Sequence, residues 1–334
     1  MKRIKAAAAV AALFVGLAGA QTAQAQRTPI VKFDGSSTVF PVTEAVAEEF
    51  QIAKRGKVRV TVGISGTGGG FKKFCRGEID IANASRPILE NEMAACKQAG
   101  IEYIELPVAF DALTVVVNPK NKFIEKLTIA ELKKMWEPAA QGKVTNWNQI
   151  NPEWPNAPLK LFGPGADSGT FDYFTEAVVG KTKSSRGDFT ASEDDNVLVQ
   201  GVSRDINALG YFGYAYYVEN RSKLRAVPVV NDKGEPVAPS METVLSGAYA
   251  PLARPIFIYV STKSLQKPEV QEIVDFYLTE GAALAEEVKY VPLSAEAYKL
   301  AREHVKNRKT GTVFGGHSEI GVTVEELLKR DARL

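Results

Sequence analysis

Ile30-Val31-Lys32-Phe33-Asp34-Gly35-Ser36-Ser37-Thr38 passes from an apolar run into a glycine and three successive hydroxyl residues, and Val42, Ala45, Val46, Glu49 and Phe50 then recur at helical spacing. The run predicts a buried strand, Pro41 suits the first turn of a helix, and the residues between them make a loop at that helix's start. The same order repeats twice. Residues 58–62 alternate as a second strand, Ser65-Gly66-Thr67-Gly68-Gly69-Gly70 forms a loop, and residues 71–74 begin a short helix ending near Gly77. Residues 79–82 make a third strand, after which Ser85-Arg86-Pro87 leads to a helix through Met93 and Cys96. Strands alternating with helices predict an α/β fold with a parallel sheet, whose ligands lie beyond the carboxyl ends of the strands. All three loops occupy that edge.

The apolar run 106–117 reads as an extended segment leaving this unit, and residues 255–260 as one coming back. Between them the sequence predicts a helix over 127–136, a loop over 138–158 rich in Asn, Pro and Trp, and a strand over 159–162. That strand feeds Gly163-Pro164-Gly165-Ala166-Asp167-Ser168-Gly169-Thr170, followed by helices over 171–178 and 196–209 and a strand over 210–214. After the return, 269–284 and 295–306 are helical, and the last residues to Leu334 form a surface tail. A chain of 334 residues exceeds what one hydrophobic core usually serves, so two domains are expected.

The chain opens Met1-Lys2-Arg3-Ile4-Lys5, continues through an apolar stretch over 6–20 and reaches Ala23-Gln24-Ala25. This is the pattern of a cleavable export signal over residues 1–25, and the stretch is shorter than the ~20 residues of a spanning helix. The whole chain carries 41 basic and 39 acidic residues, and losing Lys2, Arg3 and Lys5 with the signal leaves 38 against 39. A nearly neutral chain lacks the concentrated basic face that supplies nucleic-acid affinity, so any bound anion is held by local geometry. Of the two cysteines, Cys75 and Cys96, export into an oxidising compartment makes a structural disulfide the expectation, ahead of a metal pair or two free thiols.

Gly35-Ser36-Ser37-Thr38, the glycine-rich 65–70 stretch and Asp167-Ser168-Gly169-Thr170 each follow an apolar run and open a helix. A helix's first N–H groups lack internal partners and carry the positive end of the macrodipole, so with hydroxyls beside them they suit an oxyanion. Ordinary capping needs one hydroxyl; the first loop has three. Glycines at a helix start each cost roughly 0.5–1 kcal/mol against alanine, which implies a close approach to that backbone. The 65–70 stretch lacks the Gly-Lys-Ser/Thr ending of a P-loop and the third glycine of a dinucleotide fingerprint. Ser168 with His304 or His317 invites comparison with a serine hydrolase, but the Gly-x-Ser-x-Gly elbow is missing. Arg86 follows the carboxyl end of a strand, where a guanidinium can give an oxyanion two parallel N–H bonds. With no paired histidines, metal-ligand cluster or activated nucleophile, the expected site holds an anion without transforming it, and no metal or cofactor is expected.

On Phe33-Asp34-Gly35-Ser36-Ser37-Thr38-Val39, Gly63-Ile64-Ser65-Gly66-Thr67-Gly68-Gly69-Gly70-Phe71-Lys72-Lys73-Phe74, Ile81-Ala82-Asn83-Ala84-Ser85-Arg86-Pro87-Ile88 and Gly163-Pro164-Gly165-Ala166-Asp167-Ser168-Gly169-Thr170-Phe171, the chain resembles a known family. It is similar to the periplasmic phosphate-binding proteins of Pst-type ABC importers, within the type II periplasmic binding proteins. The resemblance implies two lobes, each a mostly parallel sheet flanked by helices, joined by two crossing segments: lobe I over 26–112 and 257–334, lobe II over 113–256. It implies a monomeric periplasmic receptor that holds inorganic phosphate between the lobes and delivers it to a membrane permease and ATPase. The expected phosphate-binding residues are Ser36, Ser37, Thr38, Ser65, Thr67, Arg86, Ser168, Gly169 and Thr170. The family's aspartate at the place of Arg86, which accepts the O–H of protonated phosphate, is absent, as is the arginine ahead of its Ser-Gly-Thr loop. Asp111, Asp167 and Asp195 are the candidates for that proton acceptor. Such a carboxylate repels sulfate, which carries no proton. The alternatives are a receptor for another tetrahedral oxyanion, such as sulfate or molybdate, and an exported serine-dependent phosphatase or esterase.

Overall fold

The computed structural model describes residues 28–317 and Arg330; the expected export signal and most of the tail lie outside the described residues. In chain order the first unit is β1 (Ile30–Gly35), α1 (Phe40–Ala53), β2 (Arg59–Ile64), α2 (Gly66–Cys75), β3 (Ile81–Ala84), α3 (Glu90–Gln98) and β4 (Tyr103–Val117). The second runs α4 (Ile129–Trp136), β5 (Lys160–Pro164), α5 (Gly169–Phe174), β6 (Thr190–Ser192), α6 (Asp195–Arg204), β7 (Ala208–Gly213), α7 (Tyr214–Glu219), β8 (Arg225–Ala226), β9 (Val229–Val230), β10 (Pro236–Val237) and α8 (Met241–Leu245). The chain then returns through β11 (Ala253–Ser261), α9 (Pro268–Glu287) and α10 (Ala295–Lys306).

Two lobes share one continuous sheet of order β2-β1-β3-β11-β4-β7-β5-β6, with β8 also paired to β4. In the first lobe β1 lies parallel between β2 and β3, and in the second β5 lies parallel between β6 and β7. The crossing strands are the antiparallel elements: β11 pairs with β3 and β4, and β4 pairs with β7. β4 therefore serves both lobes, giving its first half to β11 and its second half to β7. Between them the β4–β11 register slips at Ile256/Phe257, opposite Pro107 and Ala109. A proline cannot donate to the ladder, which favours a bulge there, and the carbonyl of the extra residue, Val108, accepts the Tyr298 hydroxyl at 2.7 Å.

Each lobe has its own core. Val31, Phe33, Val46, Phe50, Ile104 and Ile258 pack with Ile273 and Tyr277 of α9 in the first. Leu113, Val115, Trp136, Trp147, Phe174 and Tyr211 pack in the second. Phe174 stacks on Tyr211 at 3.8 Å between centroids, with Trp136 edge-on to both. No described helix is long and apolar enough to cross a membrane.

Cys75 and Cys96 are bonded, joining the end of α2 to α3, as expected. Two local expectations need correcting. The glycine-rich stretch read as a loop is already helical from Gly66, because glycine at Gly70 lets α2 press against the end of β1; a Cβ there would stand 2.6 Å from the Gly35 Cα. The helix read over 196–209 ends at Arg204: Asp205 accepts the Asn207 amide, turns the chain, and Ala208 starts β7. Replacing both cysteines by alanine should cost about 3 kcal/mol, the loop-closure value for a bridge of this span. Urea titration checks it, and an unchanged midpoint would contradict a stabilising bridge.

Candidate functional site

The three loops and the start of the return strand converge where the lobes meet. Gly35 ends β1 at φ +139, where the Ser36 amide bonds the Asn83 carbonyl at 3.0 Å; a Cβ on Gly35 would lie 2.2 Å from that oxygen. The chain then turns through Ser36, Ser37 and Thr38, all buried, into α1. Buried tyrosines fix this turn: Tyr216 donates to the Ser37 carbonyl at 2.9 Å and Tyr290 to the Thr38 carbonyl. From the second lobe, Ser168 caps α5 by accepting the Thr170 amide at 3.1 Å, and the Thr170 hydroxyl meets that of Thr38 at 2.8 Å. Both hydroxyls can rotate toward an oxygen placed beside them.

Thr67 lies in the first turn of α2 against Ser85, with hydroxyls 3.2 Å apart. Gly169 packs onto this pair; a Cβ there would fall 2.5 Å from the Thr67 Oγ1 and 2.6 Å from the Ser85 Oγ. Side-chain bulk at this position would hold the lobes apart. Asp167 accepts the Gly68 amide through its carbonyl at 2.7 Å and pairs with Lys72 through its carboxylate at 2.8 Å. Ser65 stands apart, its hydroxyl donating to Asp34.

The charge at the heart of the cluster is one that the sequence reading missed. Arg254 faces Asp111 across the crossing strands as its register partner. Its guanidinium donates to the Thr170 hydroxyl at 2.6 Å, the Gly169 carbonyl at 2.9 Å and Asp111 at 3.3 Å, and sits over the Tyr173 ring. It is 1 % exposed, and its Nε–H has no partner. A charge set one residue before Pro255, at the edge of the apolar run over 255–260, is the signal, and it falls just outside the segment that the sequence marks as the return.

Arg86 is elsewhere in this network. Its guanidinium is taken up by Glu92, the Pro87 carbonyl and Asp172. Burial alone would lower its pKa, and the two carboxylates more than reverse that.

The three candidate carboxylates differ sharply. Asp167 sits at the rim in its ion pair with Lys72. Asp111 is buried against Arg254 and accepts the Tyr214 amide; burial holds its pKa above the usual value, with Arg254 opposing. Asp195, at the start of α6, is 1 % exposed and neither carboxylate oxygen has a hydrogen-bond partner. Burial, and after it the charge of Asp111, push its pKa up to about 8, while Arg254 and the Gly213 amide, which lies near without reaching hydrogen-bond geometry, oppose the rise.

A serine-hydrolase arrangement finds no support here: the described hydrogen bond of the Ser168 hydroxyl is to the Thr170 amide, and His317 lies beside Glu90. Among the described residues, no group of three or more His, Cys, Asp or Glu is placed to hold a metal ion.

Two α/β lobes on two crossing strands, with hydroxyls, helix starts and a buried arginine meeting between them, define a two-lobed solute-binding protein. The chain belongs to the PBP superfamily, whose domain model matches residues 20–280. It is 56% identical over 323 residues to Protein SphX of Synechococcus elongatus, covering 96% of this chain and 94% of that one. It is 40% identical over 272 residues to the phosphate-binding protein PstS of Staphylococcus saprophyticus, covering 80% and 82%. Among solved structures, a candidate phosphate-binding protein of Planctomyces limnophilus matches with a TM-score of 0.61 at 50% identity, over 84% of this chain and 98% of that one. A candidate phosphate ABC transporter substrate-binding protein of Clostridium perfringens, solved with bound phosphate, matches with a TM-score of 0.66 at 27% identity, over 79% and 100%.

The buried Asp195 makes stability depend on pH. An unfolded aspartate titrates near ~4, so from there to about 8 the native state keeps a proton that the unfolded state has lost. Stability therefore falls as pH rises through that window, and Asp195→Asn should remove this part of the fall. Melting temperatures of variant and wild type across the window check it; a difference that does not grow with pH would contradict the buried, protonated Asp195.

Proposed function

We propose that the protein is an exported receptor for inorganic phosphate. It binds one phosphate ion between lobe I, residues 26–112 and 257–334, and lobe II, residues 113–256, and delivers it to the permease and ATPase of an ABC importer. In this reading it works as a monomer in the periplasm, carries no cofactor and performs no catalysis. The observation that carries it is a pair of orphans in one buried cluster: the Arg254 Nε–H lacks an acceptor and the Asp195 carboxyl lacks any partner. Buried polar groups of this kind are normally satisfied, and one guest that both accepts and donates would satisfy the two together. Hydrogen phosphate does so, accepting from Arg254 through P–O⁻ oxygens and sharing its proton with Asp195. The hydroxyls of Ser37, Thr38, Thr67, Ser168 and Thr170 and the amides at the starts of α1 and α2 complete the shell, with Ser36 and Gly169 as its framing residues and Ser65 outside it, held by Asp34. The name of the phosphate-binding protein PstS and the phosphate-bound neighbour support the same ligand.

Charge-assisted hydrogen bonds contribute about 1.5–3 kcal/mol each, so a handful reaches the roughly 8 kcal/mol of micromolar binding. Titration calorimetry should give micromolar or tighter phosphate binding, and Arg254→Met should weaken it by at least about thirtyfold. Undiminished affinity in that variant would remove Arg254 from the site. The role of Asp195 predicts how discrimination runs with pH. Below about 8 the carboxyl keeps its own proton and can donate to sulfate; above, it is ionised and sulfate is repelled, while hydrogen phosphate still supplies a proton. Sulfate should therefore compete with phosphate progressively less as pH rises through about 8. Equal competition at every pH would favour a general tetrahedral-oxyanion receptor.

A further inference from the structure

Arg86 and Asp172 form a buried ion pair between the lobes, and its geometry fits neither a surface salt bridge nor a ligand contact. The Arg86 Nε donates to the Asp172 Oδ2 at 2.5 Å, with the two side chains 0% and 1% exposed. Arg86 belongs to the segment between β3 and α3 in the first lobe; Asp172 belongs to α5 in the second, within a turn of Gly169 and Thr170. The guanidinium is fixed on its own lobe before Asp172 is counted. Its two terminal nitrogens donate to the Glu92 carboxylate at 2.8 Å each and to the Pro87 carbonyl at 3.0 Å, and Glu92 is itself held by the Leu89 amide at 2.9 Å. The Phe71 ring lies under the guanidinium at 5.7 Å. Asp172 has no comparable anchor on its own lobe: its Oδ1 has no hydrogen-bond partner and Lys183 stands 3.9 Å away. The pair is thus a rigid socket on one lobe and a single carboxylate brought to it by the other.

We infer that Arg86 is a positioning residue, an inter-lobe latch that captures Asp172 and so seats α5, with Gly169 and Thr170, against Thr67, Ser85 and Thr38. This rests on the phosphate-receptor reading and deepens it: Arg86 acts on the anion through α5, with no direct contact. Separating the lobes would leave Arg86 paired to Glu92 but would strand Asp172, so the contact that closure adds is the one that slows opening. A latch of this kind sets the rate of release far more than the rate of capture, because a contact made after encounter is felt mainly on dissociation.

Asp172→Asn tests this by sign. If Arg86 acted directly on the anion, deleting a negative charge beside it would free the guanidinium and tighten phosphate binding. The latch predicts the reverse: phosphate dissociation roughly tenfold faster or more, association within about twofold of wild type, and a larger radius of gyration by small-angle scattering. Arg86→Lys, which keeps the charge but loses the fork, should fall between wild type and Asp172→Asn and provides the comparison should Asp172→Asn not fold. Binding as tight as wild type, or tighter, in either variant overturns the latch. Wild-type protein that gives no heat with phosphate overturns the receptor reading instead. The latch is then decided by scattering alone: expansion of the Asp172→Asn protein supports it, and wild-type dimensions sink it.

Discussion

Everything in the cleft follows from one electrostatic constraint: charges buried where two lobes meet must each find an opposite charge or a hydrogen bond, and the two lobes together supply most but not all of them. Arg254 answers Asp111, and Arg86 answers Glu92 and Asp172, and this pairing offsets much of the cost of taking these groups out of water. Among the buried atoms left without a hydrogen-bond partner are both oxygens of Asp195, the Nε–H of Arg254 and the Oδ1 of Asp172. A protein seldom leaves both a buried acceptor and a buried donor unmet in one place without a guest in view.

The crossing strands make this possible. Asp111 and Arg254 are register partners on β4 and β11, beside the slip that Pro107 introduces, so the central ion pair belongs to the junction and to neither lobe alone. Around it, aromatic residues act as clamps on backbone carbonyls: Tyr173 bonds those of Pro251 and Ala253, Tyr249 that of Leu113 and Tyr216 that of Ser37. Each holds a site-bearing segment by a main-chain atom and so leaves the hydroxyls and amides aimed at the cleft free to turn to a ligand.

Much of this was legible in the sequence, because it depended on local pattern. Strand, hydroxyl loop and helix could be read from residues 30–50 alone, and the three loops do meet. The cysteines were likewise assigned from compartment and number. What escaped depended on distance along the chain. Arg254 lies 143 residues from Asp111 and 84 from Thr170, and no window of sequence contains that cluster. Arg86 was singled out for its position after a strand, but its partners Glu92 and Asp172 decide what it does, and the second of these is in the other lobe. Asp195 could be named as a candidate carboxylate, yet only its burial without partners separates it from Asp167, which spends its charge on Lys72. The glycine-rich stretch was misjudged because glycine argues against helix locally, while close packing against β1 required it.

The most direct test of the account is a crystal structure with orthophosphate added. The account predicts an anion between the lobes, with one oxygen within hydrogen-bond distance of the Arg254 guanidinium, another within hydrogen-bond distance of the Asp195 carboxyl, and Arg86 still bonded to Asp172. Phosphate lodged on Arg86, or bound away from Arg254 and Asp195, would contradict it.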